Sequence, residues 1–154
     1  MLANLMLSIL NFAAQKGVSD ARVESASKHH AREAGVKGET YAYWYLRRHG
    51  YTPVARNYTV PGVKGEIDIV AYDGRVLAFV EVKTRSVSEV PHLRPEEAVD
   101  HEKRRNLTRM ARHYLSSRRI ESASCRFDVL AIETRHGHKP VVRLHKDAFG
   151  MREK

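Results

Sequence analysis

Residues 65–85 read GEIDIVAYDGRVLAFVEVKTR. Apolar β-branched and aromatic residues dominate 65–72 and 75–84, which predicts two strands. Asp73-Gly74 between them predicts a tight type I′ hairpin. With Tyr72 facing Arg75, Glu66 falls opposite Glu81 and Asp68 opposite Phe79. Side chains alternate between the two faces of a strand. Ile67, Ile69, Ala71, Val76, Ala78, Val80 and Val82 then form a nearly pure apolar face that must be core. Glu66, Asp68, Val70 and Tyr72 share the other face with Leu77, Phe79, Glu81 and Lys83. That face is apolar beside the turn and acidic at its far end. The register assumes no bulge at the turn, since a slip would re-pair every side chain.

Three carboxylates in one patch need an explanation. Like charges directly opposite one another on a sheet are destabilising by about 0.2–1 kcal/mol even when exposed. Partial burial raises their pKa values unless a cation neutralises them. Lys83 supplies one positive charge against three acids. A divalent metal would supply the rest, and an oxygen-rich site without histidine suits Mg²⁺ or Mn²⁺. The alternative is a solvent-exposed end of the hairpin whose acids and lysine form surface ion pairs. Both faces are apolar over most of their length, as expected for inner strands of a covered sheet.

Around this hairpin the pattern predicts a mixed α/β domain, a sheet flanked by helices. Ala31, Ala34, Ala42, Tyr43 and Leu46 mark a helix from about 28 to 49, closed by Gly50. Glu39 rides on its apolar stripe, where desolvation disfavours an acid unless the helix begins nearby and its dipole compensates. A strand over 52–60 follows, and 86–97, with Pro91 and Pro95, reads as loop. A second helix is expected over 97–118, with Val99, Leu107, Met110, Ala111, Tyr114 and Leu115 on its inner stripe. A strand over 126–133 and a last edge strand within PVVRLHKDAF complete the order.

Two units follow: residues 1–35, an N-terminal amphipathic helix and linker, and a domain over 36–150. The apolar run MLANLMLSILNFAAQ falls short of the ~20 residues a membrane span requires and lacks a basic leader. No transmembrane segment is expected. The 154 residues include 27 Lys and Arg against 18 Asp and Glu, a formal charge of +9 that favours a polyanionic partner. Cys125 is the single cysteine, which excludes an internal disulfide and a cysteine metal cluster and fits a reducing cytoplasm.

Several other residues bear on such a partner. Lys103 lies four and seven residues before Leu107 and Met110, so it faces inward at the start of its helix. It either reaches the acidic site or snorkels to water. Arg104, Arg105, Arg109 and Arg112 make that helix basic, as either a solvated face or a phosphate track. Arg85, following the second hairpin strand, reads equally as a phosphate clamp or as a solvated surface charge. Asp128 reads as structural, paired with Arg126 or another basic group. His29-His30 and His136-Gly137-His138 lack a third ligand. Trp44 and its tyrosine neighbours read mainly as helix packing.

Asp68, twelve residues, then Glu81-Val82-Lys83 resembles the D…(D/E)-x-K pattern of restriction-endonuclease-like nucleases. GETYAYWYLRRHGY with ARNY, GEIDIVAYDG, FVEVKTR, and Lys103 followed by RFDVLAI resemble, in that order, the uncharacterised YraN-like family, over residues 37 to about 133. The resemblance implies an αβββαβ core similar to archaeal Holliday-junction resolvases and a Mg²⁺- or Mn²⁺-dependent DNA endonuclease, with branched or damaged DNA its sharpest substrate. It implies Asp68 and Glu81 as metal ligands, Glu39 as the acid completing the site, Glu66 as an outer ligand, and Lys83 at the attacking water. A homodimer is implied likewise. The rival is a non-catalytic nucleic-acid-binding module of the same fold.

Overall fold

The computed structural model describes residues 37–86, 99–135 and 137–151. The amphipathic helix expected before residue 36, the Pro91–Pro95 loop, His29-His30 and His136 lie outside the described residues. The first helix, α1, is described over residues 37–48. It ends at Gly50, whose φ of 85° is a left-handed conformation that glycine adopts at no steric cost. Then come β1 (Tyr51–Tyr58), β2 (Ile67–Asp73), β3 (Val76–Ser86), α2 (His101–Ser117), β4 (Cys125–Thr134) and β5 (Val141–Phe149). The α/β expectation holds, with element ends moved by a few residues.

The five strands form one sheet in the order β1-β2-β3-β4-β5. β1, β2 and β3 run as an antiparallel meander, β4 joins β3 in parallel, and β5 returns antiparallel at the edge. A parallel partner requires a crossover, and α2 lies within it. Ala42 and Leu46 of α1 pack with Ile69, Ala71, Ala78, Val80, Leu130 and Ile132. Leu107, Met110, Ala111 and Tyr114 of α2 pack with Val70, Leu77, Phe79, Phe127 and Val129. The sheet therefore separates two apolar layers, each covered by one helix.

α2 starts at residue 101 rather than 97 because Asp100 caps it, accepting the Lys103 N–H at 2.8 Å. Val99 is buried beneath the cap, ahead of the helix rather than on its stripe.

The hairpin register differs from expectation. Tyr72 pairs with Leu77, Asp73 pairs with Val76, and Gly74-Arg75 form the two-residue loop. Only Gly74 has positive φ there, 61°, the pattern of a type II′ turn with glycine first rather than type I′. Asp73 stays in the ladder opposite Tyr51, where Arg126 and Lys146 hold its carboxylate at 2.6 and 2.7 Å. The pairing moves by two residues, so the faces are preserved while the partners change. Carried one step beyond Ile69–Val80, the observed register sets Asp68 across from Glu81, not Phe79. Ile67 is a second departure: it packs in the α2 layer with Val70, because alternation breaks at Asp68.

Candidate metal centre

The site begins where two strands part. Pairing between β2 and β3 ends at Ile69–Val80. Beyond that pair the Val82 N–H donates to the Asp68 carboxylate at 2.6 Å. Asp68 thus sits in the fork, 8% exposed. Burial first, and the Glu81 carboxylate second, push its carboxyl up to about 7, with Glu39 adding to the rise. The Val82 hydrogen bond and the Lys103 charge oppose them. A metal ion would reverse this balance by favouring the ionised form.

Glu81, on the β3 arm of the fork, is 3% exposed. Its Oε1 meets both Lys83 Nζ, at 3.0 Å, and Lys103 Nζ. Its Oε2 is buried without a protein partner. Lys103 reaches in from the first turn of α2, as its place on the inner stripe predicts. Burial works against the Lys103 charge, but Glu81, by charge and hydrogen bond, and then Asp68 raise its pKa overall.

Glu39 arrives from α1 and depends on a glycine. A Cβ on the buried Gly38 would lie 2.0 Å from Thr84 Oγ1, so only glycine lets α1 approach β3 this closely. That approach sets Glu39, the next residue, over the fork. Asn57 Nδ2 then donates to Glu39 Oε2 at 2.8 Å. Asn57 has φ 48°, a left-handed conformation that asparagine tolerates better than most residues. In the β1–β2 register it falls between Arg56–Ile69 and Tyr58–Ile67, beside Asp68. The sequence pattern did not assign Asn57 a role, although ARNY was part of the recognised signature.

Glu39, Glu66 and Asp68 each bring a carboxylate oxygen into one group whose atoms lie within 4.8 Å of one another. Glu66, read from sequence as an outer ligand, stands inside this group. Glu81 stands outside it, tied to its two lysines. The donor set is all carboxylate oxygen, which suits a hard cation such as Mg²⁺ or Mn²⁺. The fit rests on this carboxylate group, the raised Asp68 carboxyl and the unpartnered Glu81 Oε2.

Residues farther away divide into two kinds. Asp128, fully buried, accepts from Arg126 Nε at 2.8 Å, Tyr51 Oη at 3.1 Å and the Asp147 N–H at 2.9 Å. This satisfied network under α1 is structural, as the sequence suggested. Arg104 is also engaged: its Nε donates to the Val99 carbonyl at 2.9 Å and its guanidinium lies over the Phe149 ring. Arg85, Arg105, Arg109 and Arg112 are exposed. His138 lies in the β4–β5 connection and is in no candidate metal group among the described residues.

Fold and site together define a small α/β domain with a carboxylate cluster at the fork of its central hairpin. The chain belongs to the uncharacterised protein family UPF0102, whose profile matches residues 38–132. This agrees with the YraN-like resemblance. A UPF0102 protein of Koribacter versatilis is 43% identical over 117 residues, covering 76% of this chain and 79% of that protein. One from Solibacter usitatus is 47% identical over 98 residues, covering 64% and 73%. One from Geobacter metallireducens is 41% identical over 120 residues, covering 78% and 94%.

Proposed function

We propose that this protein is a divalent-metal-dependent nuclease that hydrolyses phosphodiester bonds in DNA, with branched or damaged DNA as its sharpest substrate. The observation that carries the reading is the convergence of Glu39, Glu66 and Asp68 within 4.8 Å, beside a buried Glu81 held by Lys83 and Lys103. Glu39, Glu66 and Asp68 would hold the cation. Bound Mg²⁺ or Mn²⁺ supplies Lewis-acid charge and lowers the pKa of a water toward neutrality. Asn57 fixes the Glu39 carboxylate from outside, and the Val82 N–H fixes that of Asp68. Lys83, anchored by Glu81, holds positive charge where negative charge develops on the phosphoryl oxygens. The exposed arginines of α2 and Arg85 provide phosphate contacts outside the reacting centre.

The second reading is a non-catalytic nucleic-acid-binding module. It is favoured by one observation: Lys103 and Lys83 already compensate Glu81, leaving its Oε1 less free for a cation.

The two separate in a cleavage assay on labelled four-way junction, flap, single strand, linear duplex and RNA. Wild type runs with Mg²⁺, Mn²⁺ or EDTA, beside Glu81→Gln and Lys83→Ala. Metal-dependent cutting that falls about 100-fold or more in both variants is the expected result. Wild-type protein that binds these substrates and cuts none with either metal overturns it in favour of the binding module.

A further inference from the structure

Trp44 is not helix packing. It lies 52% exposed in the middle of α1, and its ring is the most exposed aromatic surface among the described residues. Ala42 and Leu46 define the buried side of α1, and at 100° per residue Trp44 projects almost directly away from it. The ring is instead met edge-on by an aromatic neighbour and carries a guanidinium over one of its faces, which leaves the other face for a ligand. Tyr43 meets it edge-on, with centroids 5.3 Å apart. The Arg47 guanidinium lies 5.6 Å from the Trp44 centroid and 6.0 Å from that of Tyr43. Arg56, from β1, lies 5.1 Å from the Tyr43 centroid and donates to Thr40 Oγ1 at 3.4 Å.

We propose that Trp44, with Arg47 and Arg56 beside it, is a stacking platform for an unpaired base of a nucleic-acid strand that passes the carboxylate cluster. The proposal rests on the nuclease reading for its direction and on its own residues for its chemistry. A half-exposed indole with one guanidinium over it and a second over the adjoining Tyr43 ring matches what a single strand presents, a π-face next to a phosphate. A duplex hides its base faces and cannot use the platform. Glu39 and Trp44 are five residues apart on one helix, an axial rise of about 7.5 Å and a turn of about 140°, so a strand that reaches both crosses from the sheet side of α1 to its outer side. Arg56 links the two places, since it precedes Asn57, which holds Glu39. The substrate class this selects is nucleic acid with an unpaired segment that crosses α1.

Trp44 is the only tryptophan in the 154 residues, so intrinsic fluorescence reports on this site alone. The full chain, in EDTA to prevent cutting, is titrated with an oligothymidine strand and with a blunt duplex. Binding is followed both by Trp44 emission and by anisotropy of a label on the oligonucleotide. Saturable quenching by the single strand at the anisotropy midpoint is expected, with little quenching by duplex. Trp44→Ala should weaken single-strand binding about ten-fold or more, and Trp44→Phe less. Acrylamide should quench Trp44 freely in the unbound full chain and poorly in the complex. Single-strand binding with unchanged Trp44 emission and unchanged Trp44→Ala affinity overturns the platform and leaves the metal-site reading standing. A Trp44 already shielded from acrylamide in the free chain also overturns it. Intact quenching with no cutting by either metal supports the platform and overturns the nuclease reading instead.

Discussion

Asp68 and Asp73 lie on the same strand and affect stability with opposite sign. The Asp68 carboxyl sits at about 7 in the folded chain against an ordinary value of 3.8. Between those values the folded state keeps a proton that the unfolded chain has released. The metal-free protein therefore loses stability as pH rises from about 4 to about 7. Asp68→Asn removes that dependence. Without metal, the variant's Tm relative to wild type should rise between about pH 5 and about pH 8. Mg²⁺ at about 100 times its Kd should add about 2.7 kcal/mol to wild type at the higher pH and nothing comparable to the variant. Thermal melts in EDTA and in Mg²⁺ at both pH values check this, and a Tm difference independent of pH would mean Asp68 is ionised throughout. Asp73 behaves conversely. Its hydrogen bonds from Lys146 and then Arg126 hold its carboxyl below the usual range, so its contribution is present at neutral pH and lost only below about pH 4. At this scale the sequence was informative wherever a charge broke an apolar pattern. Glu39, Asp68, Glu81 and Lys103 stood out for that reason. Asn57 did not, because an asparagine near a strand end breaks no pattern and its role depends on Glu39, eighteen residues earlier.

The approach of α1 to β3 determines whether the site exists. Gly38→Ala places a methyl 2.0 Å from Thr84 Oγ1, so the helix or the strand must move. Overpacking of this kind costs about 1–3 kcal/mol, and Glu39 moves with the helix. Thr84→Ala on that background removes the clashing oxygen and leaves the Thr84 Cβ 3.2 Å away, a gap closed by a small shift. The double variant should therefore recover most of the lost stability and metal affinity, a non-additive result that urea unfolding and metal titration would detect. β4 carries a different test. Asp128→Ala leaves Arg126, Tyr51 Oη and the Asp147 N–H without their shared acceptor, with Arg126 only 15% exposed. Stability in urea should fall by about 3–5 kcal/mol with an unchanged slope. The elements themselves were legible from periodicity, and apart from Ile67 the two faces of the hairpin came out as expected. The pairing did not, because Asp73-Gly74 marks the turn only to within a residue. A shift of two preserves the parity of every side chain, so nothing in the hydrophobic pattern reveals it. What fixed the register was Asp73, held in the ladder by Arg126 from β4 and Lys146 from β5, and those partners are visible only in three dimensions.

The chain combines a formal charge of +9 with a half-buried acidic cluster. Nucleic-acid affinity should fall linearly with salt on a log–log plot, with a slope of about −0.9 per phosphate contacted on duplex and about −0.7 on single strand. Arg105→Ala and Arg109→Ala should each reduce that slope by somewhat less than one unit. Arg104→Ala should act chiefly on stability, because its guanidinium holds the Val99 carbonyl and the Phe149 ring. Anisotropy titrations over a range of salt concentrations distinguish the two kinds of arginine. Composition favours a polyanionic partner but does not sort these side chains, since all of them fall in one basic run. The described residues include no helix long and apolar enough to cross a membrane. The parallel pairing of β3 with β4 has a further consequence for how the chain comes together. β1, β2 and β3 zip as neighbours through short connections, and β4 and β5 do the same. Joining the two pieces requires one long-range closure across residues 87–124, and such closures are the slow, entropically expensive step of folding. Glu39, Glu66, Asp68 and Glu81 all belong to the first piece, whereas Lys103 is in the segment that closes. During synthesis the acids and Lys83 emerge first and Lys103 after them, so Lys83 alone offsets the carboxylate repulsion until the two halves dock.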